Sequence, residues 1–321
     1  MDITTQMTDI AQTAQRAART LATTSTAQKN KALFILADLL RERAMQVQQE
    51  NEKDLAAACE CGHPAAFIDR LTLSDKVIRE MATGLEDIAR LPDPVGEVTR
   101  MWRRPNGLLV GRKRIPLGVI AIIYESRPNV TIDAGALCLK SGNAVILRGG
   151  KEALHSNLAL GALMQEALAA ADIPGTAAQV VPVTDRAAVL ALLGLQQYID
   201  VVIPRGGESL IKTVYEHSRI PVIAHYKGVC HVFIDESADP AMAQKVALNA
   251  KVQRPGVCNA METLLVHQAI AERFLPPMIS RLREANVEIR GCARTKALVP
   301  DVVPATEDDW YTEYEDLILS V

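Results

Sequence analysis

Short, unbroken apolar segments alternating with helical stretches constrain this chain more than any other feature of its sequence. VIAIIY (119–124) and AVIL (144–147) carry no charge, and VVPV (180–183), DVVIP (200–204) and PVIA (221–224) continue the series. Strands buried on both faces read this way, because neither side of the pleat meets water. Helical stretches near 131–140, 154–171, 185–195 and 207–217 separate them, the second ending at Pro174-Gly175. Five such strands alternating with helices predict a parallel, Rossmann-like sheet. The rhythm restarts at VCHVFID (229–235), with a helix around 240–252 and a strand at TLLV (263–266). The chain is therefore expected to be α/β, with one domain over 1–225 and a second α/β domain over 226–321.

The first ninety residues read as helices. Ser25 and Gln28 form a capping-box pattern, and Leu33, Leu36, Leu40 and Val47 follow at helical spacing. Two extended, basic segments, 97–104 and 108–115, flank Pro105-Asn106-Gly107, which predicts a hairpin over 97–115 projecting from the body. Arg112-Lys113-Arg114 suits a solvated strand edge on it, since charge discourages pairing with foreign sheets.

Composition narrows the function classes. Aromatics are 4%, so the core must be built from Ala, Val, Ile and Leu. Lys and Arg total 35 against 38 for Asp and Glu, and a net charge of -3 supplies no bulk field for nucleic acid. No apolar run approaches a membrane span, and MDITTQMTDIAQTAQRAART lacks the apolar stretch of a secretory signal. The cysteines at 59, 61, 138, 230, 258 and 292 form no disulfide framework or zinc spacing, and the six histidines show no ligand spacing. A reducing cytoplasm and no metal are the expectation.

No G-x-G-x-x-G follows the first strand. It runs instead into Tyr124-Glu125-Ser126-Arg127-Pro128-Asn129, which offers an anion, a cation and an amide. The second strand ends at Arg148-Gly149-Gly150-Lys151 and the fourth at Pro204-Arg205-Gly206-Gly207. Both put small residues and positive charge at carboxyl ends of strands, where open α/β sheets bind ligands. Plain turns explain either pair alone. Cys258 follows the helix-breaking Gln253-Arg254-Pro255-Gly256 and precedes an apolar strand. A small buried hydrophobe is one reading of it. The other is a nucleophile, with Arg254 as the kind of cation a reactive thiolate is placed beside. Cys138 and Cys230 lie in apolar patterns and read as core.

The segments RIPLGVIAIIYESRPNVTIDAGALCLKSGNAVILRGGKEA, YIDVVIPRGG, GVCHVFID and NAKVQRPGVCNAMETLLV together resemble the gamma-glutamyl phosphate reductases (glutamate-5-semialdehyde dehydrogenases) of the aldehyde dehydrogenase superfamily. The resemblance spans the chain. It implies NADPH-dependent reduction of L-glutamyl 5-phosphate to L-glutamate 5-semialdehyde, with release of phosphate, on the route to proline. Carried over by motif, Cys258 falls on the nucleophile and Asn129 on an oxyanion-hole amide. Arg148, Lys151, Pro204, Gly206 and Gly207 are the cofactor-binding candidates, and Arg148 with Lys151 would favour a 2′-phosphate. Glu125, Arg127 and Arg254 are candidates for the substrate by charge. His225 stands where aldehyde-oxidising members hold a water-activating glutamate. The resemblance further implies a homo-oligomer formed through the hairpin, coupling to glutamate 5-kinase, and a catalytic domain that continues past Val321. An aldehyde-oxidising dehydrogenase and a catalytically silent nucleotide-binding fragment stay open as alternatives.

Overall fold

The computed structural model describes residues 2–225 and 227–321, apart from the Ala66 side chain. The chain divides into two compact units, Met1–Ala224 and His225–Val321. Tyr226, the expected first residue of the second domain, lies outside the described residues.

The first unit opens with helices α1 (Ile3–Leu21), α2 (Thr26–Glu42), α3 (Ala44–Glu60), α4 (Ala65–Leu71) and α5 (Asp75–Arg90). α1 buries Met7, Ala11, Ala14, Ala18 and Leu21, one apolar stripe at helical spacing. Ser25 and Gln28 cap α2 reciprocally, as their spacing predicts. Strands β1 (Val98–Arg103) and β2 (Leu109–Lys113) pair antiparallel around the Pro-Asn-Gly turn. There follow β3 (Val119–Tyr124), α6 (Asn129–Lys140), β4 (Ala144–Arg148), α7 (Leu154–Ala170), β5 (Ala178–Val180), α8 (Ala187–Leu193), β6 (Val201–Arg205) and α9 (Glu208–His217). Every residue of β3 and β4 is buried, and each fully buried branched side chain there contributes about 1.5–3 kcal/mol. β3 to β6 form a parallel sheet in the order β5-β4-β3-β6.

That sheet has four strands rather than the expected five. PVIA makes a single parallel bridge, Val202 to Val222, through Val202 N to the Pro221 carbonyl and Ile223 N to the Val202 carbonyl. Pro221 has no N–H to extend the ladder, and Pro221 and Ile223 are exposed. VVPV likewise yields strand only to Val180, with one further bond from Val181 N to the Leu147 carbonyl before Pro182.

The N-terminal helices are tied to α6, a helix of the sheet unit, by buried charge. Lys29 is fully buried, its Nζ 2.5 Å from Asp93 Oδ2 and 3.2 Å from the Lys140 carbonyl. Lys140 in turn donates to Asn30 Oδ1 and the Ala89 carbonyl.

The second unit comprises β7 (Cys230–Ile234), α10 (Pro240–Val252), β8 (Met261–Val266), α11 (Gln268–Glu284), β9 (Glu288–Gly291), α12 (Ala293–Leu298), β10 (Val303–Pro304) and β11 (Ile318–Ser320). Its five strands are parallel, in the order β10-β9-β11-β8-β7. Asp239 caps α10, and Pro240 occupies its first position, where a missing N–H costs nothing. Ile234, Met261, Leu264, Phe274, Met278, Leu282 and Leu319 lie in its separate core.

Candidate active site

In the first sheet the chain moves outward from β3 to β4 and β5, then returns to place β6 on the other side of β3. The crevice beyond the carboxyl ends of β3 and β6 is thus the topological switch point, where ligands of open α/β sheets bind. The residues after those strands meet there. Glu125 N donates to the Arg205 carbonyl at 3.2 Å, and Gly207 N donates to Glu125 Oε2 at 2.9 Å. Gly207 directly precedes α9, so this N–H lies at the positive end of a helix, where an anion is favoured. A Cβ on Gly206 would stand 2.6 Å from Glu125 Cδ, so the carboxylate lies over this glycine and would have to swing aside for any larger residue. Pro204 is buried in β6 opposite Ile123 and supports the crevice from below.

Glu125 and Arg127 are exposed, and Ser126 between them holds φ +28, a backbone angle L residues rarely adopt. Asn129 opens α6 half-buried, with Nδ2 donating to Asp133 Oδ2 at 3.1 Å. Burial raises the Asp133 pKa, and the Asn129 bond pulls partly against it. Asp133 fixes which way that amide faces. The i, i+4 spacing signalled the pair, and sequence reasoning passed over it.

The loop after β4 is built differently. Arg148 is 8% exposed, and its guanidinium donates to the carbonyls of Gly149 (2.7 Å), Thr184 (2.8 Å) and Asp185 (3.4 Å). Its Nε has no partner among the described residues. Burial lowers its pKa; Glu152 opposes that shift and Arg186 adds to it. The side chain therefore ties two loops together, and the outward cations here are Lys151 and Arg186. Behind this loop the first amides of α7 are capped by buried Asp54, which accepts from His155 N (3.2 Å), Ser156 N (2.8 Å) and Ser156 Oγ (2.6 Å). An acid of the chain itself already fills the anion position at α7. Exposed Glu125 at Gly207 is displaceable; Asp54 is not.

In the second unit, Cys258 is exposed in the turn between α10 and β8. Its carbonyl accepts from the Cys230 thiol at 3.3 Å, and a Cβ on buried Gly228 would lie 2.5 Å from that same oxygen. Gly228 is glycine because this backbone passes so close. The His225 ring (Cε1, 3.1 Å) and the Glu313 carboxylate (Oε1, 3.2 Å) surround the same point, and Gly228 N donates to Glu313 Oε2 at 2.9 Å. Burial raises the Cys230 pKa, and the neighbouring Cys258, Glu313 and Glu262 raise it further, so it serves as donor. Cys230 is thus only half-buried and borders the turn, whereas Cys138 is core with a thiol pushed up to about 12 by burial. Arg254 is exposed earlier in the turn. Glu313 escaped sequence reasoning because nothing local links it to Gly228, 85 residues away.

The description of the aldehyde dehydrogenase family matches residues 3–296. The chain belongs to the aldehyde dehydrogenase family. It is 56% identical over 316 residues to a gamma-glutamyl phosphate reductase from Carboxydothermus hydrogenoformans, covering 98% of this chain and 76% of that one. A solved gamma-glutamyl phosphate reductase from Thermotoga maritima is 47% identical, with a TM-score of 0.92 over 98% of this chain and 76% of its own. The enzyme of that name from Saccharomyces cerevisiae is 29% identical, with a TM-score of 0.65 over 98% and 80%. Family membership makes this chain an oxidoreductase acting on a small molecule with a nicotinamide cofactor. The β3–β6 crevice suits the diphosphate of such a dinucleotide, with a helix terminus, a glycine cradle and an anion already drawn to it. No helix among the described residues is long and apolar enough to cross a membrane.

Proposed function

We propose that this chain catalyses the NADPH-dependent reduction of L-glutamyl 5-phosphate to L-glutamate 5-semialdehyde, releasing phosphate, in proline biosynthesis. The observation that carries the reading is the 56% identity to a gamma-glutamyl phosphate reductase over nearly the whole chain.

Cys258 is the nucleophile. Its thiolate attacks the acyl carbon, the carbon–oxygen bond to phosphate breaks, and a glutamyl thioester forms on Sγ. Phosphate is a good leaving group, so no strong general acid is required. The Asn129 amide and the Cys258 backbone N–H stabilise the charge that builds on the carbonyl oxygen. The nicotinamide, when bound, supplies the hydride that reduces the thioester carbon. Collapse of the thiohemiacetal restores the Cys258 thiolate and frees the aldehyde.

Gly206 and Gly207 would hold the dinucleotide's diphosphate, which would take the place of the Glu125 carboxylate at Gly207 N. Pro204 shapes the approach, and Lys151 with Arg186 attracts a 2′-phosphate while Arg148 fixes the loop that presents Lys151. Arg127 and Arg254 are the candidates for the substrate carboxylate, and Glu125 for its ammonium. The reading extends to a homo-oligomer formed through the β1–β2 hairpin, a cytoplasmic location, and coupling to glutamate 5-kinase.

His225 in place of a water-activating carboxylate means that phosphate or hydride, not water, resolves the thioester. The test follows NADPH formation from semialdehyde and NADP in phosphate-free buffer. Turnover is expected only when phosphate or arsenate is added. Sustained turnover without an acceptor overturns the reading in favour of aldehyde oxidation.

A further inference from the structure

The second unit buries two full charges around the Cys258 turn. Lys251, on the last turn of α10, is 0% exposed, and Glu262, second residue of β8, is 1% exposed; Nζ and Oε2 are 2.7 Å apart. The turn bearing Cys258 runs between them. Glu262 also reaches sideways, its Oε1 accepting from Glu315 N at 3.3 Å. Glu315 holds a left-handed φ of +53, and its carbonyl lies 3.5 Å from where a Cβ on Gly256 would stand, against the same turn. Two residues back, Glu313 accepts the Gly228 N–H, and Gly228 packs beneath the Cys258 carbonyl. With the short chain from Glu313 to Glu315, these contacts link Lys251 through Glu262 and Gly228 to Cys258.

Stability does not explain such a pair. Desolvating two charges costs about what their attraction returns, and apolar residues of like volume are often neutral or stabilising replacements. What apolar residues lack is direction. An ammonium and a two-oxygen acceptor fix α10, β8 and the 313–315 segment at set angles. A misplacement of about 1 Å at a reacting group can lower a rate about 100-fold.

We propose that Lys251 and Glu262 are positioning residues that hold the Cys258 turn, and the Glu313–Gly228 contact beneath it, in the geometry that attack requires. The proposal rests on Cys258 being the nucleophile. It is specific to the pair: the effect lies in kcat, not in binding or folding.

The test is the double variant Lys251→Met with Glu262→Met, measured for thermal midpoint, kcat, and KM for glutamyl phosphate and NADPH, beside Cys258→Ser. The expected result is a midpoint equal to or above that of the unmodified protein, KM for NADPH unchanged, and kcat lowered about 10- to 100-fold. Iodoacetamide should still alkylate Cys258, showing the thiol present and exposed. An unchanged kcat in the double variant, with Cys258→Ser inactive, overturns the positioning role alone. Full turnover in Cys258→Ser overturns the nucleophile reading and the proposal with it. Should the double variant not fold, Glu262→Gln decides: it keeps the shape and can accept from Lys251, but offers an amide NH2 rather than an oxygen to Glu315 N. A lowered kcat at unchanged NADPH KM supports the proposal; a normal kcat, or failure to fold here too, makes the pair a stability element and overturns it.

Discussion

The proposed chemistry and the packing fall on different cysteines. Cys258 is exposed in a turn, whereas Cys138 is buried in α6 with its thiol pushed up to about 12. Cys258→Ser is expected to abolish reduction and to leave the thermal midpoint and NADPH binding intact. Cys138→Ser should leave kcat unchanged and cost about 1–3 kcal/mol for a buried hydroxyl, read from denaturant unfolding. Near-normal turnover in Cys258→Ser contradicts the thioester chemistry. Asn129 supplies a second residue-scale prediction. Its amide is anchored by Asp133, and under the proposed mechanism Asn129→Ala should lower kcat about 100- to 1000-fold, the usual cost of one oxyanion donor. Asp133→Ala should lower kcat less, because it leaves the amide present but unoriented. Equal losses in the two variants would make Asp133 more than an anchor.

Among the elements, the loops after β4 and β6 divide what looked like one kind of glycine turn into two. α7 is capped by buried Asp54, while the amide before α9 faces a movable carboxylate. Lys151→Glu should therefore shrink an NADPH preference over NADH without lowering kcat at saturation, because it changes charge at the rim only. Equal kcat/KM for both coenzymes in the unmodified protein would count against a 2′-phosphate site there. Apolar runs made β3, β4, β6 and β8 legible, since burial on both faces leaves a continuous signature. PVIA misled because apolarity records burial tendency and not the donor that Pro221 lacks. β9, β10 and β11 left no comparable signature: they span 288–291, 303–304 and 318–320, and carry charge, proline or serine. The turn around Cys258 could be picked out locally from its helix-breaking residues. Its supports could not, because Lys251–Glu262 and Glu313–Gly228 join residues 11 and 85 apart through packing alone.

At the scale of the whole molecule, the carboxyl held furthest below its ordinary value among the described residues is Asp309, in the second unit. Burial alone would raise the Asp309 carboxyl, but bonds from Thr306 N, Arg290, Tyr314 and the Thr306 hydroxyl hold it well below its ordinary value. A carboxyl lowered on folding contributes stability that is fully present above its unfolded value near 3.8 and is lost as pH falls through the folded value. The thermal midpoint of this unit, followed by Trp310 fluorescence, should fall steadily below about pH 4. Asp309→Asn should flatten that slope and cost about 2–3 kcal/mol at neutral pH; an unaltered slope would place the acid sensitivity elsewhere. The return of β6 to the side of β3 has a consequence for the order of synthesis. Glu125 and Gly207 are 82 residues apart, and the amide–carboxylate contact exists only once the last strand of the sheet has closed onto the first. On the ribosome, β3, β4 and β5 can pair while the crevice is still unmade, and closing so long a loop slows the final step. Nucleotide cannot template the early sheet. In refolding, its capture should lag the far-ultraviolet signal and time the docking of β6.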